Sequence, residues 1–99
     1  MSFIQIIEFK TKDIDGVNKV LDEFLAKTAG KRTSTRAMMT KDRDAGSTYL
    51  NIVEFPSYEA AMQNSNLPET AEIAAKMAAL ADGPPIFRNL DVLRVEDMA

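Results

Sequence analysis

Three carboxylates, Glu8, Glu54 and Asp91, lie inside stretches of strand-forming residues, where each could accept a proton from a bound ligand. Arg36, Tyr49, Asn51, Tyr58, Asn64, Arg88 and Asn89 could donate hydrogen bonds to an oxygen carrying or gaining negative charge. Much other chemistry is excluded by composition. The chain has no cysteine and no histidine, so disulfide frameworks, thiolate zinc sites, Cys nucleophiles, Ser-His-Asp triads and His-ligated metal or haem all fall away. Its 4 glycines are scattered without a G-x-G pattern, and no nucleotide cofactor has a motif to hold it.

Each candidate also has a plain structural reading. Asp91 could pair with Arg36 or Arg88 across a sheet, and Glu8 and Glu54 could occupy solvated strand ends. Asn51 and Asn89 stand out because Asn is depleted in strand interiors; each is either a satisfied amide or a ligand contact. Asn64-Ser65-Asn66 has the composition of a helix terminus and turn, and Tyr58 that of a packed ring with a polar tip. Met38, Met39, Met62 and Met77 could line an apolar pocket, although Met77 falls on a core stripe.

The elements that would position these residues follow from hydrophobic periodicity. Phe3 to Phe9 is rich in β-branched and aromatic residues and apolar on both faces, as in a strand covered on both sides. Ile14, Val17, Leu21 and Phe24 then fall at helical spacing, widened by Val20 and Leu25, with Asp13 or Asp15 favouring the first turn and Gly30 as the stop. Thr33 to Thr40 and Ser47 to Phe55 read as a strand pair joined by a polar turn. Pro56 ends the second of these strands, and Ser57 caps a short helix over Tyr58 to Asn64. Pro68 opens a last helix with the stripe Thr70, Ile73, Met77 and Leu80; Ala74, Ala78 and Ala81 would let it approach a sheet closely. Glu72 and Lys76 are in the favourable i,i+4 order. Asp82-Gly83-Pro84-Pro85 stops that helix, and Ile86 to Val95 reads as the final strand.

The order β-α-β-β-α-α-β suits a single α+β domain over residues 1–99: a ferredoxin-like, four-stranded antiparallel sheet with helices on one face. The uncovered face would still be apolar. A chain of 99 residues buries only about 60–65% of its unfolded surface, so a second copy packed face to face is the expected cover, giving an isologous homodimer. With 12 Lys plus Arg against 15 Asp plus Glu, the net charge is -3, which gives no basic patch for nucleic acid or an anionic membrane surface. No apolar run is long enough to cross a bilayer and no export signal is recognised, so the expected location is the cytoplasm.

The order of elements, the run Tyr49-Leu50-Asn51-Ile52-Val53-Glu54-Phe55 leading into Ser57-Tyr58-Glu59-Ala60-Ala61-Met62, and Pro68 before a helix resemble the dimeric α/β-barrel superfamily. Within it the chain is similar to antibiotic biosynthesis monooxygenase-like domains. That resemblance implies a dimeric α/β barrel with a pocket between sheet and helices. It also implies a cofactor-independent monooxygenase acting on a hydrophobic enolisable or phenolic metabolite. Asp91 would be the catalytic base, and Asn51, Asn64, Arg88 and Tyr58 would bind the substrate. Many relatives carry a histidine near the position of Asn64, and the haem-degrading ones also rely on a tryptophan. This chain has neither, so the resemblance points away from haem degradation. The alternative is a non-catalytic homodimeric module that binds a small molecule or serves a structural role, which the missing proton-shuttling histidine favours.

Overall fold

Asp13 stands just before the first helical stripe and caps it, its Oδ1 accepting from the Gly16 backbone N–H at 2.9 Å. Ser57 does the same for the short helix, with Oγ accepting from Ala60 N–H at 3.1 Å. Pro68 occupies the first turn of the last helix, where its missing N–H costs nothing. The computed structural model describes residues 2–98, in the order β1 (Phe3–Lys10), α1 (Ile14–Lys27), β2 (Arg36–Lys41), β3 (Thr48–Phe55), α2 (Tyr58–Ser65), α3 (Pro68–Leu80) and β4 (Ile86–Asp91). The strands form one sheet in the order β2-β3-β1-β4, antiparallel throughout. This is the α+β arrangement expected from the sequence.

Alternation along β1 defines the two faces. Phe3, Gln5, Ile7 and Phe9 share the face on which Phe3 packs with Phe55 and with Ala61 of α2. Ile4, Ile6, Glu8 and Lys10 lie on the other. On the helix-facing side Phe3 also meets the Tyr58 ring edge-on, with centroids 5.5 Å apart, and Phe9 stacks on Tyr49 at 5.8 Å. The fully buried apolar set is small: Phe3, Phe9, Val17, Phe55 and Ala61. On the outer face Ile4, Ile6, Leu50 and Ile52 are half-buried, while Met38, Ile86 and Leu90 are exposed.

Three expectations from the sequence are corrected. The last strand stops at Asp91 rather than Val95, because Asp91 pairs with Phe3, the first residue of β1, and the ladder has no further partner. Val92 makes one more bond, N–H to Ser2 O at 3.0 Å, after which Leu93 is 82% exposed. The second strand begins at Arg36 rather than Thr33, because Thr33 bonds to α2 instead of the sheet: its Oγ1 donates to Ala60 O at 2.5 Å. Ala74 and Ala78 are exposed rather than pressed on a sheet, since the closest packing of α3 is against α1.

That helix pair is clasped by alternating charges. Lys27 Nζ lies 2.6 Å from Glu72 and 3.0 Å from Glu23, and Lys76 Nζ lies 2.5 Å from Glu23 and 3.3 Å from Glu72, the last being the i,i+4 pair expected from the sequence. Hydrogen bonds first, and charge second, hold both carboxyls below the ordinary range and both ammonium groups above theirs: Lys76 acts chiefly on Glu23, Lys27 on Glu72.

Candidate functional site

Register sorts the helix-facing side of the sheet into cross-strand rows. One row reads Met39, Asn51, Ile7, Phe87; the next reads Ala37, Val53, Gln5, Asn89; the third has Phe55, Phe3 and Asp91. The first two rows carry no charge. Their polar groups are three carboxamides set among apolar side chains. Gln5 and Asn89 sit directly opposite each other, and Gln5 Nε2 donates to Asn89 Oδ1 at 3.2 Å. Asn51, half-buried between Met39 and Ile7, makes no side-chain hydrogen bond among the described residues.

The sequence-derived residues divide between the two faces. Asn51 and Asp91 lie on the helix-facing side, and Tyr58 reaches the same end of the sheet through its contact with Phe3, which is opposite Asp91. Asn64 is in the last turn of α2. Its Oδ1 accepts from Thr33 N–H at 3.3 Å and its backbone carbonyl accepts from Thr70 Oγ1 at 2.6 Å, which leaves the Nδ2 group as its free donor. Arg88 lies on the opposite, outer face, where Nη1 donates to Glu8 Oε1 at 3.2 Å. Arg36 on that same face faces Glu54 at 3.7 Å. Both arginines therefore have carboxylates other than Asp91, which is exposed and has no ion pair among the described residues.

Gln5 was not singled out in the sequence, although a polar side chain between Ile4 and Ile6-Ile7 was a usable signal. The helix-facing side of β4 is open: all six of its residues are exposed, Phe87 by 55%. A separate concavity of about 210 Å³ lies at the other end of β1, lined by Glu8, Phe9, Lys10, Asp82, Gly83, Pro84 and Ile86. None of the candidate substrate-binding residues lines it. Among the described residues no group of acidic side chains could hold a metal ion, and no helix is long and apolar enough to cross a membrane.

No family model and no curated protein matches the sequence. Solved structures do match. SnoaB, a cofactor-independent oxygenase from Streptomyces nogalater, superimposes with a TM-score of 0.79 at 16% identity, covering 95% of this chain and 95% of that one. Rv0793 from Mycobacterium tuberculosis gives 0.78 at 15% identity over 98% of this chain and 100% of that one. A structure described as an antibiotic biosynthesis monooxygenase gives 0.73 at 16% identity over 95% and 100%. At these identities the likeness is one of fold, and the chain has the ferredoxin-like fold that antibiotic biosynthesis monooxygenases share.

Proposed function

We propose that the protein is a cofactor-independent monooxygenase acting on a hydrophobic enolisable or phenolic metabolite, and that it works as a homodimer in the cytoplasm. The observation that carries this reading is the helix-facing row Met39, Asn51, Ile7, Phe87, an uncharged apolar wall around an amide whose side chain has no hydrogen-bond partner among the described residues. Such a wall accepts a flat apolar ring and offers a donor to its oxygen. The fold shared with an oxygenase described as cofactor-independent supports the choice of chemistry.

In this reading Asp91 removes a proton from the activated carbon, Tyr58 at the same end of the sheet donates a hydrogen bond to the oxygen on which the negative charge settles, and Asn51 and Asn64 hold other polar groups of the metabolite. The carbanion's electron pair forms a bond to dioxygen, giving a peroxide anion that takes the proton back from Asp91. Loss of water from that peroxide leaves a carbonyl on carbon, so one oxygen atom is retained and the other departs as water. Arg88, paired with Glu8 on the outer face, belongs with the dimer contact rather than the pocket. The dimer itself rests on the apolar outer face, where Ile86 is 49% exposed beside Leu90 and the half-buried isoleucines.

The test is oxygen uptake with dithranol, an enolisable anthrone, corrected for its spontaneous oxidation. Wild-type protein is expected to accelerate uptake, and Asp91→Asn to lower the rate by about 100-fold or more with the molecular mass in solution unchanged. Unchanged uptake in the variant removes Asp91 as the base. The exposure of Asp91 favours one second reading, a non-catalytic dimeric binding module. Absence of uptake by the wild type, with the anthrone still bound, selects it.

A further inference from the structure

The Gln5–Asn89 pair is a structural element in its own right. The two residues are 84 positions apart in sequence, directly opposite in the β1–β4 ladder, and joined at 3.2 Å. A carboxamide has one oxygen and one NH₂ group. Once Gln5 Nε2 donates to Asn89 Oδ1, the Asn89 NH₂ and the Gln5 oxygen have no side-chain partner among the described residues. Exchanging O and N in both amides swaps the roles but still leaves one free donor edge and one free acceptor edge side by side. The hydrogen bond is solvent-exposed, and it biases the two amides toward one mutual orientation before any ligand arrives.

The surroundings narrow what could be read there. No charged side chain occupies the rows of Gln5 or Ile7 on this face, so an ionic ligand would lose its hydration without gaining a counter-charge. Phe87 lies two residues from Asn89 on the same face of β4, ~7 Å along the strand, and its ring is 55% exposed. It offers a flat surface beside the amide edge.

We infer that Gln5 and Asn89 form a recognition site for an uncharged aromatic ring that carries a hydrogen-bond donor next to a carbonyl, with the ring resting on Phe87. The Asn89 amide donates to the carbonyl and the Gln5 oxygen accepts from the donor. This deepens the proposed function by naming the edge of the metabolite that is read, and it rests on the helix-facing side of the sheet being the binding site.

Carbostyril, a flat lactam with N–H beside C=O, is a suitable probe, and its N-methyl derivative replaces that donor with a methyl group. Neither is an anthrone, so binding is read separately from turnover. Fluorescence titration of the whole protein is expected to show carbostyril binding at least tenfold more tightly than the N-methyl compound. Gln5→Leu and Asn89→Leu should each reduce that preference to less than threefold. In wild-type protein, where folding is not in question, the side-chain NH₂ resonances of Gln5 and Asn89 should both shift on addition of carbostyril. Equal binding of the two probes, no binding of either, a preference retained in both variants, or unmoved side-chain resonances would each overturn the inference. Dithranol oxidation that continues in Gln5→Leu with the probe preference intact removes this site while leaving the oxygenase. Loss of preference in the variants without any dithranol oxidation keeps this site and removes the oxygenase.

Discussion

Replacing Ile52 by Asp tests the proposed outer-face dimer at its centre. Ile52 lies between Met38 of β2 and Ile6 of β1 on the face away from the helices. It is already half-buried in the single chain, so pairing of two copies removes only part of it from water, on the order of 1 kcal/mol per copy. The carboxylate adds more, because desolvating an unpaired charge costs several kcal/mol, and a twofold interface carries the substitution twice. The sum is on the order of 10 kcal/mol. At about 1.4 kcal/mol per tenfold change, even a nanomolar dimer becomes monomeric at micromolar concentration. Ile6→Asp provides an internal gradient. Ile6 is directly opposite Arg88, whose guanidinium can turn from Glu8 to the new carboxylate, so this variant should dissociate less completely. Sedimentation velocity at micromolar protein, with circular dichroism to confirm folding, reads both. A native-like dimer from Ile52→Asp, or an Ile6→Asp variant that dissociates more completely than Ile52→Asp, would refute face-to-face packing through these rows.

Two further predictions concern how the helices are fastened. Thr11 is 1% exposed; its Oγ1 donates to Leu80 O at 2.7 Å and accepts from Asp13 N–H at 3.0 Å. Thr11→Val leaves both backbone groups unpartnered and should cost about 1–3 kcal/mol in urea unfolding; a loss under about 0.5 kcal/mol would mean that water replaces the hydroxyl. Around α1 and α3, the lowered carboxyls of Glu23 and Glu72 contribute stability above the ordinary carboxylate range and lose it as pH falls through their depressed values. The raised Lys27 and Lys76 contribute below the ordinary ammonium value and lose it as pH rises through their elevated ones. The melting-temperature gap between wild type and Glu72→Gln should therefore be present at neutral pH, close in strong acid and shrink in high salt; a gap indifferent to both would show that the clasp is not electrostatic.

What could be read directly from the sequence was local. Asp13, Ser57 and Pro68 act through bonds or backbone preferences within a turn of themselves, and each did what its type and position predict. Non-local determinants were not legible. The β-branched residues Thr33 and Thr35 suggested strand, but Thr33 is committed to Ala60 and Asn64 of α2. The end of β4 is decided by where β1 begins, not by Val92, Leu93 or Val95 themselves. Asp91 was paired in expectation with Arg36 or Arg88, yet parity puts Asp91 on the helix-facing side and both arginines on the outer one, where Glu54 and Glu8 hold them. The Gln5–Asn89 pair needed the β1–β4 register before it could exist.

The same parity would let one sheet serve the two proposed purposes. On the outer face, ion pairs Arg36–Glu54 and Arg88–Glu8 flank a field of aliphatic side chains, an arrangement that tolerates water in the single chain and still leaves apolar area for a partner. On the helix-facing side the polar groups of the middle rows are amides, which bind oxygen atoms without the desolvation penalty of a charge. Because side chains alternate with a period of two, a slip of one residue in β1 would exchange the faces. Gln5 would leave the helix-facing side, and Ile4 or Ile6 would take its place opposite Asn89. The apolar rows would lose their continuity at the same moment. The aromatic pairs Phe3 with Phe55 and Phe9 with Tyr49 oppose that slip from both ends of β1, so the aromatic anchors that stabilise the fold also hold the amide pair in register.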